Sequence, residues 1–119
     1  MSSAHDFDES VLVSLERIGG TILVQRMLEL FLEHAPQRLA LARTGFIEGD
    51  FDVISRAAHL LKSTAGHMRM SRIQELADLI EHLALTQQYD AIAEPLQEIE
   101  AAFTRVVPII AMHWSQLDV

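Results

Sequence analysis

The chain has 119 residues, half of them apolar and 22% charged, with 17 acidic against 9 basic side chains and a net charge of −8. This is the composition of one globular domain with one core, and its acidity argues against phosphate-backbone binding as the main role. With no cysteine, disulfides, thiolate nucleophiles and zinc sites built on Cys are excluded.

The N-terminal MSSAHDFDES is polar and lacks the apolar centre of a signal peptide. The longest apolar patch, VVPIIAM, falls well short of the ~18 residues of a membrane span and holds a proline. A cytoplasmic location is expected, with no membrane or nucleic-acid partner.

Helical periodicity dominates from end to end. Asp8 is placed to cap a short first helix carrying Val11, Leu12, Leu15 and Ile18, which the Gly19-Gly20 pair stops. A long helix is expected from about Thr21 to Glu48, with Leu28, Phe31, Leu32, Ala35, Leu39, Ala42 and Phe46 as its apolar stripe. Pro36 inside that stripe predicts a bend or a break. After EGD, Asp50 caps a third helix from about Phe51 to His67 or Met68. Ser71 caps a fourth, with Ile73, Leu76, Ala77, Ile80 and Leu83 on one side. TQQYD is the last connection. The fifth helix carries Ile92, Leu96, Ile99, Phe103, Val106, Val107 and Ile110, with Pro95 in or near its first turn and Pro108 kinking its far end. The expected fold is all-α: an antiparallel four-helix bundle with a short additional N-terminal helix, residues 1–119 forming a single domain. A non-bundle all-α domain is the alternative.

The stretch RAAHLLKSTAGH raises the functional question. At 100° per residue, Ile54, Ala57, Leu61, Thr64, Ala65 and Met68 fall within about 60° of the direction opposite His59. His59 therefore faces solvent, which disfavours a core histidine and leaves an incidental surface residue as the bland reading. Ser55, Arg56, Lys62, Ser63 and Gly66 share its face. Small side chains there give another backbone room to approach, and Lys62 and Arg56 bring positive charge beside an imidazole in an acidic chain. That pattern suits an anionic group delivered to the ring.

The segment AAHLLKSTAGHMRMSRIQELADLIEHL resembles the signature of histidine-containing phosphotransfer (HPt) domains. Ala58, His59, Leu61, Lys62, Thr64, Ala65, Ile73, Leu76, Ile80 and Glu81 sit at the matching offsets. The preceding HAPQRLALARTGFIEGDFDVISRAAH resembles the family's Ala-Pro-x-Arg-Leu helix and Gly-Asp turn, so the likeness runs from roughly Phe7 to Val107. Two positions depart from the pattern: Ser63 and Arg69 stand where the family usually has glycine.

The resemblance implies a phosphorelay intermediate with His59 as phospho-acceptor, Lys62 offsetting phosphoryl charge and Glu81 orienting the ring through Nδ1. For Glu81 a solvated surface carboxylate is the competing reading. The implied partners are a response-regulator receiver domain and a hybrid histidine kinase. Ser55, Arg56, Leu60, Ser63, Gly66, Arg69 and Arg72 form the expected docking surface. Met68 and Met70 lie near it, with Met68 preferred as core. No cofactor is expected, Mg²⁺ belonging to the receiver's aspartate site. ATP-binding and autokinase activity are not expected, for the chain has no GxxxxGK[ST] and no Gly-rich loop.

Metal and hydrolase readings are poorly supported. His5, His34, His67, His82 and His113 show no i, i+4 pairing, and eight helical residues separate His59 and His67 by about 12 Å. A shallow helix face offers Ser55 or Ser63 no oxyanion hole. A monomer is expected, since no further heptad stripe asks for a dimer. The alternative function is an adaptor that binds a receiver or another signalling protein without phosphotransfer, motivated by Ser63 and Arg69. A free-standing protein is the expectation, with the phospho-accepting domain of a histidine kinase as a third alternative that the sequence leaves open.

Overall fold

The computed structural model describes residues 7–117. Four helices make up nearly all of them: α1 (Ser10–Glu48), α2 (Phe51–His67), α3 (Ser71–Leu85) and α4 (Tyr89–Leu117). No strand occurs among the described residues.

At the start of α1 Glu9 holds the cap position without a side-chain bond, and the Asp8 carboxylate just before it accepts from the Ser10 backbone N–H at 2.9 Å. That hydrogen bond holds the Asp8 carboxyl below its ordinary value, as expected for an anion at a helix N-terminus. At Gly20 the backbone leaves helical geometry (φ 71, ψ −168), and two helical stretches meet there at a kink. Positive φ is the conformation that glycine adopts without a Cβ penalty. The Gly-Gly pair thus marks a kink within α1, and Ile18 before it is 78% exposed and does not join the core.

All three turns between helices use one device. After α1, Gly49 takes φ 69, its N–H bonds Phe46 O at 3.2 Å, and the Asp50 N–H bonds Gly45 O at 2.8 Å. Arg69 (φ 52) does the same after α2, with Arg69 N–H to Gly66 O at 3.1 Å and Met70 N–H to Ala65 O at 2.9 Å. Gln87 (φ 58) does it after α3, through Ala84 O at 3.1 Å and Leu83 O at 2.9 Å. This is the Schellman closure, in which a left-handed residue lets two N–H groups satisfy the last carbonyls. Only the first turn gives that position to glycine.

The N-caps are less uniform. Asp50 caps α2 as expected, accepting from Val53 N–H at 3.2 Å. Ser71 does not cap α3. Met70 holds the cap position without a side-chain bond, because the turn at Arg69 already orients the backbone.

Proline breaks neither of the helices that hold it. Among the residues of α1 only Gly20 has non-helical dihedrals, so the helix continues through Pro36. Its neighbours Phe31 and Ala35 are buried, and their packing outweighs one lost ladder bond. Pro95 is buried and lies well past the first turn, since α4 begins at Tyr89, and α4 continues beyond Pro108 to Leu117.

Helix α2 packs between α1 and α3, and α4 packs between α3 and α1. The shared core includes Leu28, Ile54, Leu61, Ile73, Ile80, Ile92, Leu96 and Ile99, all at most 1% exposed. Each such side chain contributes about 1.5–3 kcal/mol by leaving water. Phe31 of α1 stacks on Phe103 of α4 at 5.8 Å. At one end Phe46 stacks on Tyr89 at 4.7 Å, and the Tyr89 hydroxyl donates to Phe46 O.

Candidate functional site

Helix α2 buries Ile54, Ala57, Ala58, Leu61 and Ala65. Helix α3 buries Ile73, Leu76, Ala77, Ile80, Leu83 and Ala84. Alanines on both helices let their axes approach. His59 is left on the outer face, with 62% of its side chain exposed.

Glu81 of α3 lies beside it with only 17% exposed, its Oε2 at 2.9 Å from His59 Nδ1. The other oxygen, Oε1, accepts from Lys62 Nζ at 2.7 Å. Burial raises the Glu81 pKa, but the hydrogen bonds from Lys62 and His59 outweigh it and hold the carboxyl below its ordinary value of 4.5. Glu81 is therefore an ionised acceptor, so His59 Nδ1 must be the donor. In the neutral ring the free lone pair then lies on Nε2.

Lys62 is engaged twice, with Nζ also donating to Asp78 Oδ1 at 3.1 Å. The hydrogen bond to Glu81, and next the one to Asp78, raise the Lys62 pKa above 10.5, so the ammonium stays charged. Asp78 was not among the residues expected from sequence. Its spacing of three before Glu81 puts both carboxylates on one face of α3, and that is the signal that could have found it.

The remaining expected residues divide. Arg56, Leu60 and Ser63 of α2, Arg69 in the turn after it and Arg72 at the start of α3 are all exposed. Arg56 pairs with Asp52 at 3.2 Å, and Arg72 is tied to Glu98 of α4 at 2.6 Å. One expectation needs correction. Ser55 is buried, and its hydroxyl donates to Asp52 O at 3.0 Å. Gly66 is half-buried, and a Cβ there would sit 3.0 Å from Nε2 at the end of the Gln74 side chain of α3. Met68 and Met70 are both core, at 1% and 0% exposed.

Thr64, placed in the core stripe by the helical wheel, is half-buried and accepts from Arg38 of α1 at 2.6 Å. It borders a cleft of about 520 Å³ between α1 and α2 that also involves His34, His67 and Phe31. His59 does not line that cleft, and the chemistry at an exposed imidazole needs no enclosed pocket. Among the described residues, no group of three or more His, Asp or Glu side chains is placed to hold a metal, and no helix is long and apolar enough to cross a membrane.

The family model of the Hpt domain matches residues 26–107. The fold is similar to the crystal structure of histidine-containing phosphotransfer protein B (HptB) from Pseudomonas aeruginosa PAO1, with a TM-score of 0.85 and 18% identity, over 93% of this chain and 96% of that one. No curated protein matches the chain.

Proposed function

The chain belongs to the Hpt domain family, and on that premise we propose that His59 is the residue that carries the phosphoryl group. The family role is that of a phosphorelay intermediate in two-component signalling, a carrier rather than a kinase. One observation supports His59 above the other histidines. Its side chain is 62% exposed while Nδ1 is held at 2.9 Å by a carboxylate.

In this reading the Nε2 lone pair attacks the phosphorus of a receiver's aspartyl phosphate in line. An N–P bond forms, the P–O bond to the aspartate breaks, and its electron pair returns to the receiver's carboxylate. The Nδ1 proton stays between His59 and Glu81, whose negative charge offsets the positive charge that the ring acquires. Return of the group to a second receiver reverses each step. Lys62 adds positive charge near the phosphoryl oxygens. Mg²⁺ is assigned to the receiver, and this chain needs no ATP site.

The docking face is assigned to Arg56, Leu60, Ser63, Arg69 and Arg72. The ring-like packing order of the helices supports an antiparallel four-helix bundle, and the kink at Gly20 supports a separate short helix before it. A single cytoplasmic domain acting as a monomer, with a hybrid kinase and a response regulator as partners, completes the reading. The adaptor alternative rests on Ser63, whose side chain is exposed on the His59 face. It predicts receiver binding that is indifferent to His59→Gln and no acid-labile phosphate. The phosphocarrier reading predicts label from a phosphorylated receiver on the wild type and none on His59→Gln.

A further inference from the structure

Lys62 does not stand free beside the ring. The bonded chain runs from His59 Nδ1 to Glu81 Oε2 at 2.9 Å, from Glu81 Oε1 to Lys62 Nζ at 2.7 Å, and from Nζ to Asp78 Oδ1 at 3.1 Å. The ammonium is thus bonded to the carboxylate that serves Nδ1, whereas the phosphoryl group is borne on Nε2. To reach phosphoryl oxygens with its full donor capacity, Lys62 must loosen its hold on a carboxylate of α3.

The two carboxylates are not equivalent. Glu81 is 17% exposed and also holds His59, so releasing it would disturb the ring. Asp78 is 67% exposed, holds Lys62 by the longer bond, and makes no bond to His59. It is the hold that can be given up without moving the imidazole.

We infer that Asp78 is a positioning residue that tethers the Lys62 ammonium to α3 and thereby limits how much of its charge reaches a phosphoryl group on His59. The inference rests on the reading of His59 as phospho-acceptor. It sets the balance of the relay: with the tether intact, the phosphoryl group is held less tightly and passes on more readily. A simpler effect, repulsion between Asp78 and the phosphoryl group, has the same sign. It is weakened by solvent and salt around so exposed a carboxylate, and it does not require Lys62.

Four proteins separate these effects: the wild type, Asp78→Asn, Lys62→Ala, and the double variant. Each is equilibrated with a phosphorylated receiver, and the distribution of label between receiver and His59 is measured. Asp78→Asn should shift the equilibrium toward phospho-His59 by about two- to fivefold, the factor that one exposed ion pair supports. On the Lys62→Ala background the same change should have almost no effect. No shift in Asp78→Asn, or an equal shift without Lys62, overturns the tether. A wild type that takes label nowhere on His59 is a different result, which overturns the phospho-acceptor reading and the tether with it.

Discussion

The carboxylate of Glu81 binds two side chains of α2 at once, His59 Nδ1 through one oxygen at 2.9 Å and Lys62 Nζ through the other at 2.7 Å. A single residue of α3 therefore fixes both the tautomer of the ring and the place of the nearest cation. This explains how an exposed histidine is kept in one orientation without a pocket around it. Glu81→Gln should weaken that control, because a neutral amide can bond but no longer compensates charge. Transfer onto His59 should slow by about three- to tenfold, in line with loss of a partly exposed charge-assisted bond. Nitrogen NMR of the His59 ring should show the Nδ1–H form dominant in the wild type and a mixture in Glu81→Ala.

The same carboxylate makes stability depend on pH with a definite sign. Its folded pKa lies below the ordinary 4.5, so the native state binds that proton less readily than the unfolded chain. The stabilisation is present above 4.5 and is lost as pH falls through the folded value. In urea unfolding, the wild type should exceed Glu81→Gln by about 1 kcal/mol at pH 7. That gap should close toward pH 3. A gap that stays constant between the two would show that the ionised pair contributes nothing.

The turns at Arg69 and Gln87 predict gains in stability. Both residues hold positive φ, at 52 and 58, which costs an L-residue about 1–2 kcal/mol. Arg69→Gly and Gln87→Gly should each stabilise the protein by about 0.5–1 kcal/mol once the extra freedom of glycine in the unfolded chain is subtracted. Gly49→Ala, at φ 69, should lose about 1 kcal/mol. Thermal melts of the three variants check all three signs. Arg69→Gly also removes a cation from the proposed docking face, so a change in receiver affinity without loss of stability would separate a docking role from the turn.

Gly66 and Ser63 give opposite expectations. A methyl group on Gly66 meets only the end of the flexible Gln74 side chain. Gly66→Ala should therefore leave transfer unchanged and be neutral or stabilising by up to about 1 kcal/mol, the helix-propensity difference. Ser63 is exposed on the face of His59. Ser63→Gly should lower stability by about 0.5 kcal/mol, while the apparent KM for a receiver falls if the Ser63 side chain obstructs approach. Stopped transfer in Gly66→Ala would restore the view of Gly66 as clearance for a partner.

Much of the fold was legible because helix signals are local. Gly19-Gly20, the Gly49-Asp50 turn and the apolar stripes set the helical segments without knowledge of their neighbours. A bend or a break at Pro36 was expected on local grounds alone, and no break occurs there. The cost of a missing N–H at Pro36 is local, but the burial of Phe31 and Ala35 that offsets it is tertiary. The outward aspect of His59 followed from one helical wheel. The burial of Ser55 did not, since it depends on packing that one helix cannot show. The contact of Glu81 with His59 was equally undecidable from either helix alone, and Asp78 came to light only through its bond to Lys62. Arg69 was noted as a departure from a familiar glycine, and its positive φ now gives the physical reason why glycine suits that place.

The most direct test of the central claim is to phosphorylate the protein from a cognate phospho-receiver and locate the group by long-range nitrogen–phosphorus NMR of the His59 ring. The account predicts an acid-labile phosphate bonded to Nε2 of His59 in the wild type and no label on His59→Gln. Label that survives His59→Gln, or a phosphate attached through Nδ1, would contradict it.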